Sequence, residues 1–569
     1  MVFFWVMEAL PMAITSLIPI FAFPLLGVMS SSAVCSAYVT ETILLFLGGL
    51  VVAVAVEHSN LHKRIALFVI LHIGQSPRKL LFGVMLTTMF LSMWISNTAS
   101  TAMMVPIVDA VLKELYKTVE MKDLEHLRTD DRPAKQCAEE EEALNPKYTP
   151  EITLTKYGEN IYNPEETNVL YKEDIKEHIT EIPEEKPKTS ESVDFKTLKT
   201  MYFLGVAYSA NVGGTGSLTG TGPNLVVKGV LDNSFEHPTG LNFGTWLAFN
   251  VPGVILCTLC CCIWLQFFFI GFGSRSKLPA TTKEKEEKVK QLIKDQYKSL
   301  GRISFHESSV LTIFVTLVLL WMFRDPGFIP GWAYLVKMNF PNITVGDAVP
   351  AILATVFLFI IPCEPNFWPS ARHKDGPSRG CLTWREVHEK IPWGVILLLG
   401  GGFAMAKGCN DSGLSVFIGE KLKFIGSLSP SFSVLIISIS TALATEVASN
   451  TATASILMPI MNELALKMCV NPLYLMLPAG VCCSYAFMLP IATPPNAVVY
   501  GAAGGDMKAS VMIKAGIVMN ILCVLIINVL ANTLGEAMFH FGEMPSWANS
   551  TSTQHQFEIC LNNSLGIDL

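Results

Sequence analysis

Ser96-Asn97-Thr98-Ala99 recurs 353 residues later as Ser449-Asn450-Thr451-Ala452, and each copy closes on Pro-Ile, at Pro106-Ile107 and at Pro459-Ile460. Both copies sit in the middle of apolar sequence, where a polar triplet is costly to bury without partners. What those partners are decides how the chain folds.

The sequence around the copies sets the class. Of 569 residues, 51% are hydrophobic and 16% are charged, against about 25% charge in an ordinary soluble chain. Apolar runs such as Val310–Phe323, Val349–Pro362 and Ile513–Leu534 recur, on the scale of the roughly 20 residues that a spanning helix needs. These runs are too long for the strands of a barrel, so the class is an all-α polytopic membrane protein.

The repeat extends well beyond the triplets. At the same offset of 353, Gly48-Gly49 matches Gly401-Gly402, Ala53 matches Ala406, Leu61 matches Leu414 and Ile65 matches Ile418. Further on, Thr221-Gly222-Pro223-Asn224 matches Thr493-Pro494-Pro495-Asn496 at an offset of 272. The offset changes by 81, close to the length of the charged segment 117–199. Without that insertion both halves keep one spacing, so the chain reads as a duplicated unit. Residues 28–40, before the first unit, hold no Lys or Arg, whereas 365–392, before the second, are basic. By the positive-inside rule the units enter the membrane from opposite sides. Such inverted-topology repeats hold substrate and coupling ions at their interface, near the midplane.

Charge is unevenly spread. Segment 117–199 carries 21 Asp/Glu and 13 Lys/Arg, and the remainder 27 and 28, so the net charge of -7 belongs to one loop. A solvated loop is the plain reading: its acidity is no evidence for a basic partner, and no nucleic-acid partner is expected. Residues 274–302 carry nine Lys/Arg and four Asp/Glu, marking a cytoplasmic face. Sequons at Asn342, Asn549 and Asn562 are candidate glycosylation sites, and the two in the tail favour an extracellular C-terminus. Cysteines such as Cys257, Cys260–Cys262 and Cys482-Cys483 lie in apolar runs and read as small packing residues rather than a metal site.

The motifs carry their own chemistry. Each triplet lies in an apolar run too long for one straight span, so a break there leaves helix ends inside the membrane. Such ends expose free backbone N–H and C=O groups and half-helix dipoles. The carbonyls, with Ser and Asn oxygens, suit Na⁺; the N–H groups, with Asn and Thr side chains, suit an anion. No Lys, Arg or His lies in 81–112, 203–227, 430–466 or 471–507. An anion site without a fixed cation must borrow positive charge, and bound Na⁺ supplies it. The plainer reading, that Ser, Asn and Thr only join helices, fits one triplet better than a repeated pair with a repeated Thr-X-Pro-Asn.

Glu446 and Glu8 are acidic within apolar sequence, which marks functional positions. Neither has an equivalent in the other repeat (Met93 stands opposite Glu446), so both read as modulators or helix anchors. The run Gly214–Gly222 lacks the Gly-Lys-Ser/Thr ending of a phosphate loop. An intramembrane hydrolase with a Ser nucleophile would need a base, and no His occurs in any motif segment. The chain therefore does not read as an enzyme.

With the two triplets and the paired Thr-X-Pro-Asn motifs, the sequence resembles the divalent anion/sodium symporter family, in particular animal sodium-coupled dicarboxylate and citrate transporters. The match includes Glu8-Ala9-Leu10-Pro11, Trp94-Ile95-Ser96-Asn97-Thr98, Arg324-Asp325-Pro326-Gly327-Phe328, Gly400-Gly401-Gly402-Phe403-Ala404 and Tyr485-Ala486-Phe487-Met488-Leu489-Pro490. The loop 117–199 is unmatched. The resemblance implies a homodimer in which a transport domain moves against a scaffold as an elevator, with re-entrant hairpins at about 41–75 and 394–426. It implies at least two co-transported Na⁺ ions. The first would use Ser92, Ser96, Asn97 and Gly220; the second Thr445, Ala448, Asn450 and Ala492. Substrate carboxylates would meet Asn97, Thr98, Asn450 and Thr451, with Thr221, Gly222, Thr493 and Pro494 lining the site. Family members have a helix before the position of Met1, so the start reads as truncated.

The chain then divides into 1–40, truncated N-terminal scaffold helices; 41–112, first repeat hairpin and broken helix; 113–199, charged cytoplasmic loop; 200–272, the rest of the first repeat; 273–304, a cytoplasmic linker; 305–392, second repeat scaffold helices and basic loop; 393–535, second repeat hairpin, broken helix and last span; and 536–569, an extracellular tail. The expected activity is sodium-coupled import of di- or tricarboxylates such as succinate and citrate across the plasma membrane. A sodium–sulfate symporter is the alternative within the family. A transport-inactive regulatory membrane protein and the hydrolase are the alternatives of other classes.

Overall fold

The computed structural model describes residues 1–7, 9–74, 76–126, 195–235, 237–271, 283–326, 329–364, 379–414, 417 and 428–548. Glu8 and the sequons at Asn549 and Asn562 lie outside them, as does most of segment 117–199. The chain divides into one unit of Met1–Leu115 with Val193–Leu569 and another of Tyr116–Ser192. The second is described only as far as His126; the first carries both triplets and both Thr-X-Pro-Asn motifs.

Among the described residues the secondary structure is helical apart from a single isolated bridge between Pro362 and Gly380. Four short helices come first: α1 (Val2–Met7), α2 (Met12–Thr15), α3 (Ile18–Leu25) and α4 (Ser31–Ser36). The first apolar run is thus not one straight helix. Pro11 stands immediately before α2, and Pro19 sits at the start of α3, where a missing N–H and a fixed φ do least harm. Then come α5 (Glu41–His58), α6 (Leu61–Ile73), α7 (Pro77–Ser92), α8 (Asn97–His126), α9 (Phe195–Gly214), α10 (Gly222–Ser234) and α11 (Phe243–Phe269). The middle of the chain forms α12 (Lys283–Ser299), α13 (Phe305–Met322), α14 (Trp332–Asn339), α15 (Ala348–Ile360), α16 (Trp384–Lys390) and α17 (Trp393–Asp411). The last part forms α18 (Pro430–Ala444), α19 (Asn450–Lys467), α20 (Pro472–Cys482), α21 (Pro494–Ala502) and α22 (Ala509–Leu530), which runs on through a π-helical turn at Ala531–Gly535.

Among the described residues four segments are long and apolar enough to cross a membrane: Ser31–His58, Phe243–Phe269, Phe305–Met322 and Ala509–Phe539. α16 and α17 qualify as a fifth if the pair, bent by 65°, is one span. The side chains agree with that assignment. α22 exposes Ile517, Ile521, Leu525 and Val529 at four-residue spacing, one continuous apolar stripe on a helix surface. α11, α13 and α15 expose similar rows. Exposed stripes of this size on several helices are lipid-facing surface. The protein is a multi-pass membrane protein.

Two helices form the centre. α9 is buried from Thr200 to Gly214 without interruption, and every residue of α20 is buried. A helix that is apolar all round belongs in the interior. α7 and α11 pack on α9; α18 and α19 pack on α20, and α10 reaches across to α17, α19 and α20. The two helices occupy equivalent places in the repeat, each leading into a Thr-X-Pro-Asn motif.

Over 41–75, where a re-entrant hairpin is expected, stand α5 and α6, joined at Ser59-Asn60 with Asn60 in the left-handed conformation. For the one at 394–426, α17 is described and residues 415–416 and 418–427 lie outside the described set. α8 extends ten residues into the charged segment, to His126, because no Gly or Pro occurs between Pro106 and Pro133. Asn342 is exposed in a turn before α15, open to modification.

Candidate functional site

Both triplets stand where helices break. α7 ends at Ser92 and α8 begins at Asn97, with Met93–Ser96 non-helical between them; α18 ends at Ala444 and α19 begins at Asn450, with Thr445–Ser449 between them. The Thr-X-Pro-Asn motifs start helices after a second pair of breaks. Thr221 and Thr493 are extended and precede α10 and α21, with Pro in the first turn of each, the position that proline favours.

The two copies make matching bonds. Ser92 Oγ lies 2.7 Å from Asn97 Oδ1 and 2.8 Å from the Ala210 carbonyl. Thr445 Oγ1 lies 2.8 Å from Asn450 Oδ1 and 2.6 Å from the Cys483 carbonyl. Asn224 Nδ2 donates to the Gly214 and Ser217 carbonyls at 3.0 and 2.7 Å; Asn496 Nδ2 donates to the Ala486 and Leu489 carbonyls, both at 3.0 Å. The asparagine of each Thr-X-Pro-Asn therefore staples its own break to the helix it begins.

Proton counting gives the cradles their character. A hydroxyl carries one donor hydrogen, whereas an amide oxygen and a carbonyl carry none. In each copy one hydrogen serves two acceptors, so three oxygens converge with lone pairs to spare. Excess acceptors without donors are the composition of a cation site built from broken-helix carbonyls and polar side chains. Among the described residues no group of three His, Cys, Asp or Glu side chains is placed to hold a metal; the oxygens gathered here come from hydroxyls, amides and backbone carbonyls.

The four breaks are linked. A Cβ on Gly214 would overlap Asn97 Oδ1, and one on Gly222 would overlap Thr451 Oγ1; only glycine permits either approach. Ser217 Oγ donates to the Met93 carbonyl. Asn211, from α9, donates its Nδ2 to the Ala486 carbonyl at 3.2 Å and to Thr493 Oγ1 at 3.1 Å. Gly222 and Asn211 thus tie the first copy to the second.

The remaining expected site residues fall around this core. Ser96 Oγ accepts the Ala99 N–H at 3.2 Å as a helix cap, which leaves it a second lone pair. Thr98 is exposed, whereas its counterpart Thr451 is buried. Gly220 and Ala492 lie in the second breaks, their N–H groups donating to Ser217 and Leu489 carbonyls at 3.3 and 3.2 Å. Ala448 lies in the turn before Asn450, Pro494 is exposed at the start of α21, and Thr493 is buried.

Four participants escape sequence reading: the Ala210 and Cys483 carbonyls, Gly214 and Asn211. A backbone carbonyl has no side-chain signature, and Gly214 is one glycine in a run of several. The role of Gly214 has a direct consequence. Gly214→Ala is expected to displace Asn97 and to raise the Na⁺ concentration for half-maximal uptake by about tenfold, the effect of roughly 1.4 kcal/mol; unchanged Na⁺ dependence at normal surface amounts would remove Gly214 from the site.

Glu446 turns out to be an anchor. It is buried, and its carboxylate accepts the N–H groups of Phe487 at 2.7 Å, Met488 at 3.0 and 3.1 Å and Leu489 at 3.1 Å, with Asn520 Nδ2 at 2.8 Å. It thereby fixes the loop that carries Ala492 and Thr493.

Residues 1–541 match the model of the sodium:sulfate symporter transmembrane region. The human Na(+)/dicarboxylate cotransporter 3 is 38% identical over 562 residues, covering 97% of this chain and 89% of that protein. The rabbit (Oryctolagus cuniculus) solute carrier family 13 member 2 is 41% identical over 572 residues, covering 98% and 91%. The rat Na(+)/citrate cotransporter is 38% identical over 569 residues, covering 97% and 92%.

Proposed function

The chain belongs to the sodium:sulfate symporter family, and we propose that it is a sodium-coupled symporter that imports di- and tricarboxylates such as succinate and citrate across the plasma membrane. It is a transporter and not an enzyme. The relatives named for dicarboxylate and citrate cotransport support the substrate class. The observation that carries the ion coupling is the pair of matching cradles, each with three oxygens sharing one hydrogen.

One Na⁺ sits at Ser92, Asn97 and the Ala210 carbonyl, with Ser96 and Gly220 completing the shell. A second sits at Thr445, Asn450 and the Cys483 carbonyl, with Ala448 and Ala492. The substrate carboxylates meet Asn97, Thr98, Asn450 and Thr451, and Thr221, Gly222, Thr493 and Pro494 line the site. Magnitudes say which contact dominates. A hydrogen bond from a neutral donor contributes about 0.5–1.5 kcal/mol net. A Na⁺ and a carboxylate about 4 Å apart attract by about 4 kcal/mol at the effective dielectric of a partly buried site. With no Lys, Arg or His in the four motif segments, anion binding depends on the bound ions, and that dependence is the coupling.

The two copies work as an inverted repeat with re-entrant hairpins. A homodimeric scaffold holds the transport domain, which moves as an elevator with the loaded site. The basic segments 273–304 and 365–392 face the cytoplasm and the tail is extracellular, carrying glycans at Asn549 and Asn562, with Asn342 a further sequon on the same side.

Uptake of labelled succinate, citrate and sulfate, each in Na⁺ and in choline medium, tests the reading. Succinate and citrate uptake that requires Na⁺ is expected. Uptake of the carboxylates that ignores the replacement of Na⁺, or Na⁺-driven uptake of sulfate alone, would overturn it.

A further inference from the structure

Glu446 comes directly after Thr445 of the second cradle, at the position where the first copy has Met93. Three backbone N–H groups and the Asn520 amide occupy both of its oxygens, so no lone pair is left for a cation. The carboxylate instead joins the two sides of the second cradle, the Thr445 turn and the loop 487–493. Asn520 belongs to neither side. It stands on α22, the last span, buried, and donates across to Glu446 at 2.8 Å. Asn528, also buried on α22, donates at 2.8 Å to the Val524 carbonyl of its own helix. The first copy ties its two breaks without charge, through Ser217 Oγ on the Met93 carbonyl.

We infer that Asn520 is a positioning residue for the second Na⁺ cradle: it holds the Glu446 carboxylate in the orientation that caps the 487–489 N–H groups, and so couples the last span to the ion site. A carboxylate that caps several N–H groups has one useful rotamer, and the amide selects it. Without that donor, Glu446 loses its grip on the loop bearing Ala492 and Thr493, and the cradle opens. The inference rests on the Na⁺ reading of Thr445 and Asn450.

The test is Na⁺ activation of labelled succinate uptake by the full-length Asn520→Leu variant at measured surface amounts. Half-activation is expected to shift to about fivefold higher Na⁺, with maximal uptake at saturating Na⁺ preserved within about twofold. In a Glu446→Ala background Asn520→Leu is expected to add nothing, because residues that act as a unit are not additive. Asn528→Leu is expected to leave half-activation in place. Should Asn520→Leu fail to reach the membrane, Asn520→Ala removes the same donor with less bulk and is read in the same way. Unchanged half-activation overturns the inference, and so does a fall in maximal uptake alone. Wild-type uptake that is independent of Na⁺ overturns the function itself, which separates the two failures.

Discussion

Asn97→Ala, and separately Asn450→Ala, is expected to lower Na⁺-driven succinate uptake by about 100-fold or more at matched surface amounts. Each asparagine serves two partners. Its Oδ1 is one of three oxygens in a cradle, beside Ser92 or Thr445. In the proposed site its Nδ2 is the donor to a substrate carboxylate. Hydrogen bonds to charged groups contribute about 1.5–3 kcal/mol each, and losing a Na⁺ ligand and an anion donor together exceeds the roughly 2.7 kcal/mol that a 100-fold change requires. Packing worsens the loss at Asn97, because Gly214 is shaped to that side chain. Labelled uptake beside surface biotinylation checks it; either variant carrying succinate normally would remove its triplet from the site.

Arg64→Ala is expected to destabilise the protein by about 3–5 kcal/mol, the cost of leaving one member of a buried ion pair unpaired. Arg64 Nη2 lies 3.0 Å from Glu307 Oε2, with 7% and 8% of the two side chains exposed. The guanidinium also donates to the Gly301 and Leu300 carbonyls, each at 3.1 Å, and lies over the Tyr297 ring. Glu307 meanwhile completes a capping box with Ser304 at the start of α13. One side chain on α6 therefore holds the end of α12, the turn after it and the start of α13. Removing it strands a carboxylate and two carbonyls. The unfolding midpoint of the detergent-purified protein is expected to fall by several degrees, with less protein at the surface. Arg64→Met with Glu307→Gln is expected to recover most of the loss, since replacing both partners of a buried pair is often close to neutral. A midpoint unchanged in Arg64→Ala would show the pair to be ornamental.

Much of this was legible in the sequence, and the reasons differ by residue. The triplets and the Thr-X-Pro-Asn motifs announce helix breaks, because polar groups are costly in a continuous apolar run and proline is at home in the first turn of a helix; α8, α10, α19 and α21 begin where those motifs place them. The class came from apolar length, and the family from the motifs. The Ala210 and Cys483 carbonyls were hidden because every residue has one. Glu446 stood out as a buried charge, but its partners are three backbone N–H groups and an asparagine 74 residues away, and periodicity carries no information about them. Arg64 carries no sequence signal of its role; only the fold reveals that its partner is Glu307, 243 residues on.

The measurement closest to the central claim is the steepness of Na⁺ activation for succinate uptake by the intact transporter. Two cradles that fill together around one dianion give a sigmoid curve with a Hill coefficient above one. A hyperbolic curve, with a coefficient of one across the full Na⁺ range, would contradict the pairing of the two triplets as ion sites.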